Sequence, residues 1–127
     1  MARKTILKYV GDFVELGYDH HPNAPSLAAG RGKRKPENKQ KVVAYLRAGV
    51  AFIVSPGIAE DWFDRAKRAG IAHIRTDGVY VWSTTLAYYV EKYDVELPVD
   101  FEKHMARNKW AVPMNVDKLA IELPRYE

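Results

Sequence analysis

The chain has no cysteine among its 127 residues. That excludes a disulfide framework and thiolate chemistry of any kind, and it suits a reducing cytosol. Long apolar runs are missing as well. No stretch approaches the roughly 20 apolar residues that span a bilayer. The start, Met1-Ala2-Arg3-Lys4-Thr5-Ile6-Leu7-Lys8, has only Ile6 and Leu7 side by side where a secretory signal needs a far longer run. A soluble, cytoplasmic, bacterial-type protein with no membrane partner is therefore expected. The familiar catalytic signatures are also lacking: no Gly-x-Gly-x-x-Gly, no His-Glu-x-x-His and no Gly-x-Ser-x-Gly. Gly30-Arg31-Gly32-Lys33 has neither the spacing nor the hydroxyl of a phosphate-cradling loop. Ser26, Ser55 and Ser83 each read as turn or cap residues.

What is present is charge, unevenly placed. The net charge is +4, yet residues 31 to 47 hold seven cations (Arg31, Lys33, Arg34, Lys35, Lys39, Lys41 and Arg47) against Glu37 alone. The other 110 residues are left at −2. Basicity confined to one patch points to an acidic partner more than to general stickiness. The length fits a single domain, residues 1 to 127, able to bury about two-thirds of its unfolded surface.

Hydrophobic periodicity gives the elements. Residues 5 to 10 are β-branched and aromatic enough for a first strand. Residues 17 to 36 hold three prolines, two histidines, Gly30 and Gly32, and read as an irregular, mobile basic loop with a short helical turn near Ser26. A helix is expected over 37–48, started by Pro36 and ended by Gly49 as a left-handed cap. Val50 to Val54 reads as a buried strand. Ser55, Pro56 and Gly70 then punctuate a helix with acids early and bases late. Asp77-Gly78 between alternating residues is the strongest short-range signal of a hairpin. Ser83 opens a helix whose buried stripe is Leu86, Tyr89, Val90 and Tyr93; a further helix from Pro98 carries Phe101, His104 and Met105. Residues 118 to 123 alternate as an edge strand. The class is α+β: a small mixed sheet with three to four helices packed on it.

Three sets of residues are candidates for function. The first is Arg31, Lys33, Arg34 and Lys35, able to meet phosphates or an acidic protein surface. The second is aromatic: Tyr80 and Trp82 share one face of their strand, and Tyr88 lies off the stripe of its helix, the composition of interface anchors. The third is His20 and His21 beside Asp19, which in another setting form a metal or general-base site. His73 and His104 read as partly buried residues of a strand and a helix. No catalytic residue, metal or cofactor is assigned.

The segment from Asp77-Gly78-Val79-Tyr80-Val81-Trp82-Ser83 through Val90, continued by Glu96-Leu97-Pro98-Val99-Asp100-Phe101, resembles a pattern in small uncharacterised bacterial proteins, some of them similar to immunity proteins of polymorphic toxin systems. The resemblance covers about residues 49 to 105, with Ser83 where proline is expected. It implies a non-enzymatic protein that occludes the active site of a cognate toxin. The expected function is thus protein binding, with a toxin domain as the most concrete partner. A nucleic-acid-binding accessory protein using residues 31 to 47 is second, and a small enzyme or metal site at His20 and His21 is third.

Overall fold

The computed structural model describes residues 3 to 16 and 24 to 124. They form an α+β fold with helices on a mixed sheet, as the hydrophobic pattern predicts. The strand expected over 5–10 is two short pieces, β1 (Thr5–Ile6) and β2 (Lys8–Tyr9), hinged at the buried Leu7. A single 3-10 turn (Val14–Leu16) precedes α1 (Leu27–Gly30) and α2 (Lys39–Ala48). Then come β3 (Val50–Ile53), β4 (Ile58–Glu60), β5 (Arg68–Ile71), β6 (Ile74–Thr76) and β7 (Tyr80–Ser83). The helices α3 (Thr85–Tyr93) and α4 (Val99–Arg107) follow, and β8 (Ile121–Glu122) ends the fold.

The main sheet runs β2-β7-β6-β3, with β2 parallel to β7 and the other neighbours antiparallel. The Asp77-Gly78 turn joins β6 to β7 as expected, with Arg75 opposite Trp82. Gly78 has φ +95°, which only glycine adopts without strain. Asp77 adds the fixing contacts: its Oδ1 accepts from the amides of Val79 and Tyr80 at 2.9 and 2.7 Å.

One face of β7 presents Tyr80 and Trp82 to α2, α3 and α4, where they join Tyr45, Leu46, Tyr89, Phe101 and Met105 in the main core. The indole Nε1 of Trp82 donates to the Leu46 carbonyl at 2.9 Å, so its polar atom is satisfied inside. The opposite face is thinner. There Val81 packs with Leu7 and Ile121, brought over by a two-stranded parallel ribbon of β1 and β8.

Four sequence expectations are corrected. Residues 55 to 70 are not a helix: β4 and β5 pair antiparallel, because Asp61 captures the following amides and turns the chain back. Gly49 ends α2 with φ −54°, not left-handed. Its need is space, since a Cβ there would lie 2.6 Å from the Trp82 ring. β3 is half-buried at the sheet edge, not enclosed, because β6 is its one partner among the described residues. Finally, residues 118 to 120 form a 3-10 turn in which Asp117 accepts from the Leu119 amide, leaving strand structure only at 121–122.

Candidate functional site

The turn between β4 and β5 carries the most organised polar cluster of the surface. Asp61 lies at its start with its side chain fully buried. Oδ1 accepts from the amides of Phe63 (2.8 Å) and Asp64 (3.3 Å), an Asx turn. Oδ2 accepts from the hydroxyls of Tyr88 (2.7 Å) and Tyr93 (2.5 Å), and the Lys92 ammonium stands 3.5 Å away. On α3 these three residues sit at i, i+4 and i+5, so one side of that helix supplies every side-chain group that meets Oδ2. Burial alone would raise the Asp61 pKa, but the donors from Tyr93, Tyr88 and the two amides outweigh it and hold the carboxyl below its ordinary value. The same contacts raise both phenols: Tyr93 chiefly through its bond to Asp61, Tyr88 chiefly through burial. Lys92 donates to the Tyr88 hydroxyl at 3.0 Å, which favours its charged form and raises its pKa.

Around this anchor the rings stack in fixed geometry. Phe63 and Tyr93 have centroids 4.5 Å apart, and Trp62 meets Phe63 edge-on at 5.3 Å. The Arg31 guanidinium lies over both Phe63 (4.6 Å) and Tyr93 (4.8 Å). A guanidinium stacked this way keeps N–H groups free to meet a carboxylate. Trp62, Phe63, Tyr88 and Tyr93 are all half-buried.

The expected site residues thus separate. Arg31 and Tyr88 come together here. Tyr80 and Trp82 are 8% and 0% exposed and belong to the core, so they are not surface anchors. The alternation along β7 placed them correctly on one face, but that face meets the helices. Lys33, Arg34 and Lys35 line a separate cleft of about 250 Å³ shared with Glu96 and Glu102. Arg34 is itself buried: it donates to the carbonyls of Lys35 (2.7 Å) and Glu37 (3.2 Å) and pairs with Glu102 at 2.9 Å. Its bonds fasten the basic segment to α4.

The expected mobile loop divides in the same manner. Residues 17 to 23, with His20 and His21, lie outside the described residues. Residues 24 to 36 are fastened: the amides of Gly32 and Arg34 donate to the carbonyls of Tyr93 and Asp94, and Ser26 caps α1 by accepting from Ala29. Glu15 completes that cap, accepting from the amides of Leu27 and Ala28 and the Ser26 hydroxyl. Partial burial opposes its ionisation, yet those donors still lower its pKa.

A second buried carboxylate, Asp77, receives the Tyr45 hydroxyl at 2.5 Å and stands 2.9 Å from His104 Nε2. Asn108 donates to Tyr45 at 3.0 Å. Burial, then the bond to Asp77, raise the Tyr45 pKa. This network ties α2 and α4 to the β6–β7 turn. Among the described residues, no group of His, Asp and Glu is arranged to hold a metal ion, and no helix is long and apolar enough to cross a membrane.

Asp61, Phe63, Lys92 and Tyr93 were not singled out from the sequence. The readable signal was Asp61 followed by aromatics and Asp64, an Asx-turn composition obscured by a helix-like charge gradient. No family model matches the chain, and no curated protein or solved structure matches it either.

Proposed function

We propose that this chain is a non-enzymatic protein-binding module of the cytosol whose contact face is the Asp61-anchored cluster of Arg31, Trp62, Phe63, Tyr88, Lys92 and Tyr93. Its most concrete form is an immunity protein that covers the active site of a cognate toxin. The observation that carries the reading is Arg31 stacked on Phe63 and Tyr93 beside tyrosines whose hydroxyls are already fixed. Aromatic and arginine side chains held in place before binding lose little freedom on association, which is the property of energetic hot spots. Arg65 and Lys67 are exposed in the same turn, so the complementary partner surface is acidic.

The nucleic-acid reading is weaker for a physical reason. Of the seven cations in residues 31 to 47, Arg34, Lys39 and Arg47 pair with Glu102, Asp94 and Glu91. Counterion release from phosphates needs uncommitted cations.

The test is capture of a partner from the source cell on immobilised protein, compared with Arg31→Glu and Phe63→Ala. Filter binding to random DNA and RNA at two salt concentrations runs beside it. The expected result is one captured protein, inhibited in stoichiometric complex, with Arg31→Glu slowing association and Phe63→Ala speeding dissociation. Tight, salt-sensitive nucleic-acid binding with no protein captured overturns the proposal.

A further inference from the structure

The ribbon of β4 and β5 has a second surface, facing away from the core, that the binding face does not use. Ile58 and Ile71 stand directly opposite each other across the two strands. They are 55% and 48% exposed, an aliphatic pair in water. Their neighbours along the ribbon are Glu60 and Arg68, also register partners and also exposed. Residues 58 and 60 share a face by the two-residue alternation of a strand, and their partners across the ribbon follow them. A bulge between Ala59 and Glu60 adds one residue to β5, so Ala59 faces Gly70 while the extra Ala69 is buried and Arg68 returns opposite Glu60. Neither Glu60 nor Arg68 forms an ion pair with any described residue, although they are opposite each other. The exposed face is therefore a quartet: an apolar pair, then an acid beside a base, neither ion-paired to another described residue.

This quartet complements itself. Turn a second copy about a two-fold axis along the ribbon and lay it face to face. Ile58 then meets the other copy's Ile71, and Glu60 meets the other copy's Arg68, twice over. An isologous interface requires this kind of self-matching patch. We infer that the outer face of the β4–β5 ribbon is a homodimer contact, its occupant a second copy of this chain. The apolar pair supplies the burial, and the two crossed Glu60–Arg68 pairs fix the register. Four side chains bury much less than the roughly 800 Å² per partner of a standard interface, so the dimer is a weak one. The contact does not involve Arg31 or Tyr88, so it stands or falls separately from the partner-binding face.

Charge reversal and mixing test it on the full chain by sedimentation equilibrium. All variants are first checked for wild-type circular dichroism and melting, since both charged sites are exposed. Wild type should dimerise with rising concentration. Glu60→Arg and Arg68→Glu should each weaken self-association by on the order of tenfold, because each places like charges opposite one another. An equimolar mixture of the two should recover wild-type association as heterodimers. An effect inside one chain cannot produce that rescue. Ile58→Asp should abolish association outright. A wild type that stays monomeric to millimolar concentration overturns the inference, as does a mixture that associates no better than its components. A monomer whose ribbon face instead takes up vesicles or another protein also overturns it.

Discussion

At the scale of single residues, two buried aspartates organise most of the polar structure, and their environments give them different work. Asp61 ends with four donors and a nearby ammonium, so its ionised form is favoured by the fold. A carboxyl whose folded pKa lies below the unfolded one stabilises the protein fully above its ordinary value of about pH 4, and loses that contribution as pH falls through the folded value. Asp61→Asn should therefore cost about 2 kcal/mol at neutral pH, since the amide cannot accept from both tyrosines and both backbone groups at once. The difference between wild type and variant should shrink below about pH 4. Urea denaturation across pH 2 to 7 measures it. A difference that stays constant with pH would show that the charge of Asp61 has no part in its role.

At the scale of elements, the legible parts were those whose local signals and tertiary needs agree. The helices over 37–48, 83–93 and from 98 onward combine an apolar stripe with a compatible start, and the structure forms α2, α3 and α4 there. The segment 55–70 shows the opposite. Ile58, Trp62, Ala66 and Ala69 imitate a helical stripe, but Gly57 and Gly70 leave room for extended backbone, and Gly70 takes φ +121°. Asp61 then captures two amides, and the ribbon wins although Ile58 ends half in water. That contest between a pattern and a side chain's hydrogen bonds is not visible in periodicity. The β6–β7 hairpin is legible because Asp77 and Gly78 each act locally. Removing Asp77 should consequently do more than weaken a turn. In Asp77→Ala the amides of Val79 and Tyr80, the Tyr45 hydroxyl and His104 all lose an acceptor inside the fold. A loss of about 2–4 kcal/mol is expected. Amide exchange at Val79 and Tyr80 should accelerate well before exchange in α2. Uniform acceleration throughout the protein would instead mean that the turn and the rest open as one unit.

At the scale of the whole molecule, the sheet has unequal faces, and that inequality sets how the protein opens. The helix side buries Tyr45, Trp82, Tyr89, Phe101 and many aliphatic residues in one connected cluster. Among the described residues, the other side buries Leu7, Val81 and Ile121, with Tyr9, Phe52, Ile74, Val116 and Leu123 partly covered around them. The lid over that side is a ribbon of two residues per strand, β1 with β8, joined through bonds such as the Leu7 amide to the Glu122 carbonyl at 2.9 Å. Sequence alternation near the C-terminus suggested a longer strand, but Leu119 is 85% exposed and contributes nothing to the seam. Elements with few buried contacts open at lower free energy than the global transition. The Leu7 amide should thus exchange through a local opening, while those of Trp82 and Val90, within the helix-side core, should exchange only with global unfolding. Ile121→Ala, which truncates one of the three buried side chains of that cluster, should cost about 2 kcal/mol or more in global stability. It should also bring Leu7 exchange close to the unprotected rate, leaving the helix-side amides still governed by global unfolding. Native-state hydrogen exchange at increasing denaturant resolves the two classes. If Leu7 and Trp82 instead share one opening free energy in the wild type, the thin face is as strongly coupled to the core as the thick one, and the two clusters behave as a single cooperative unit.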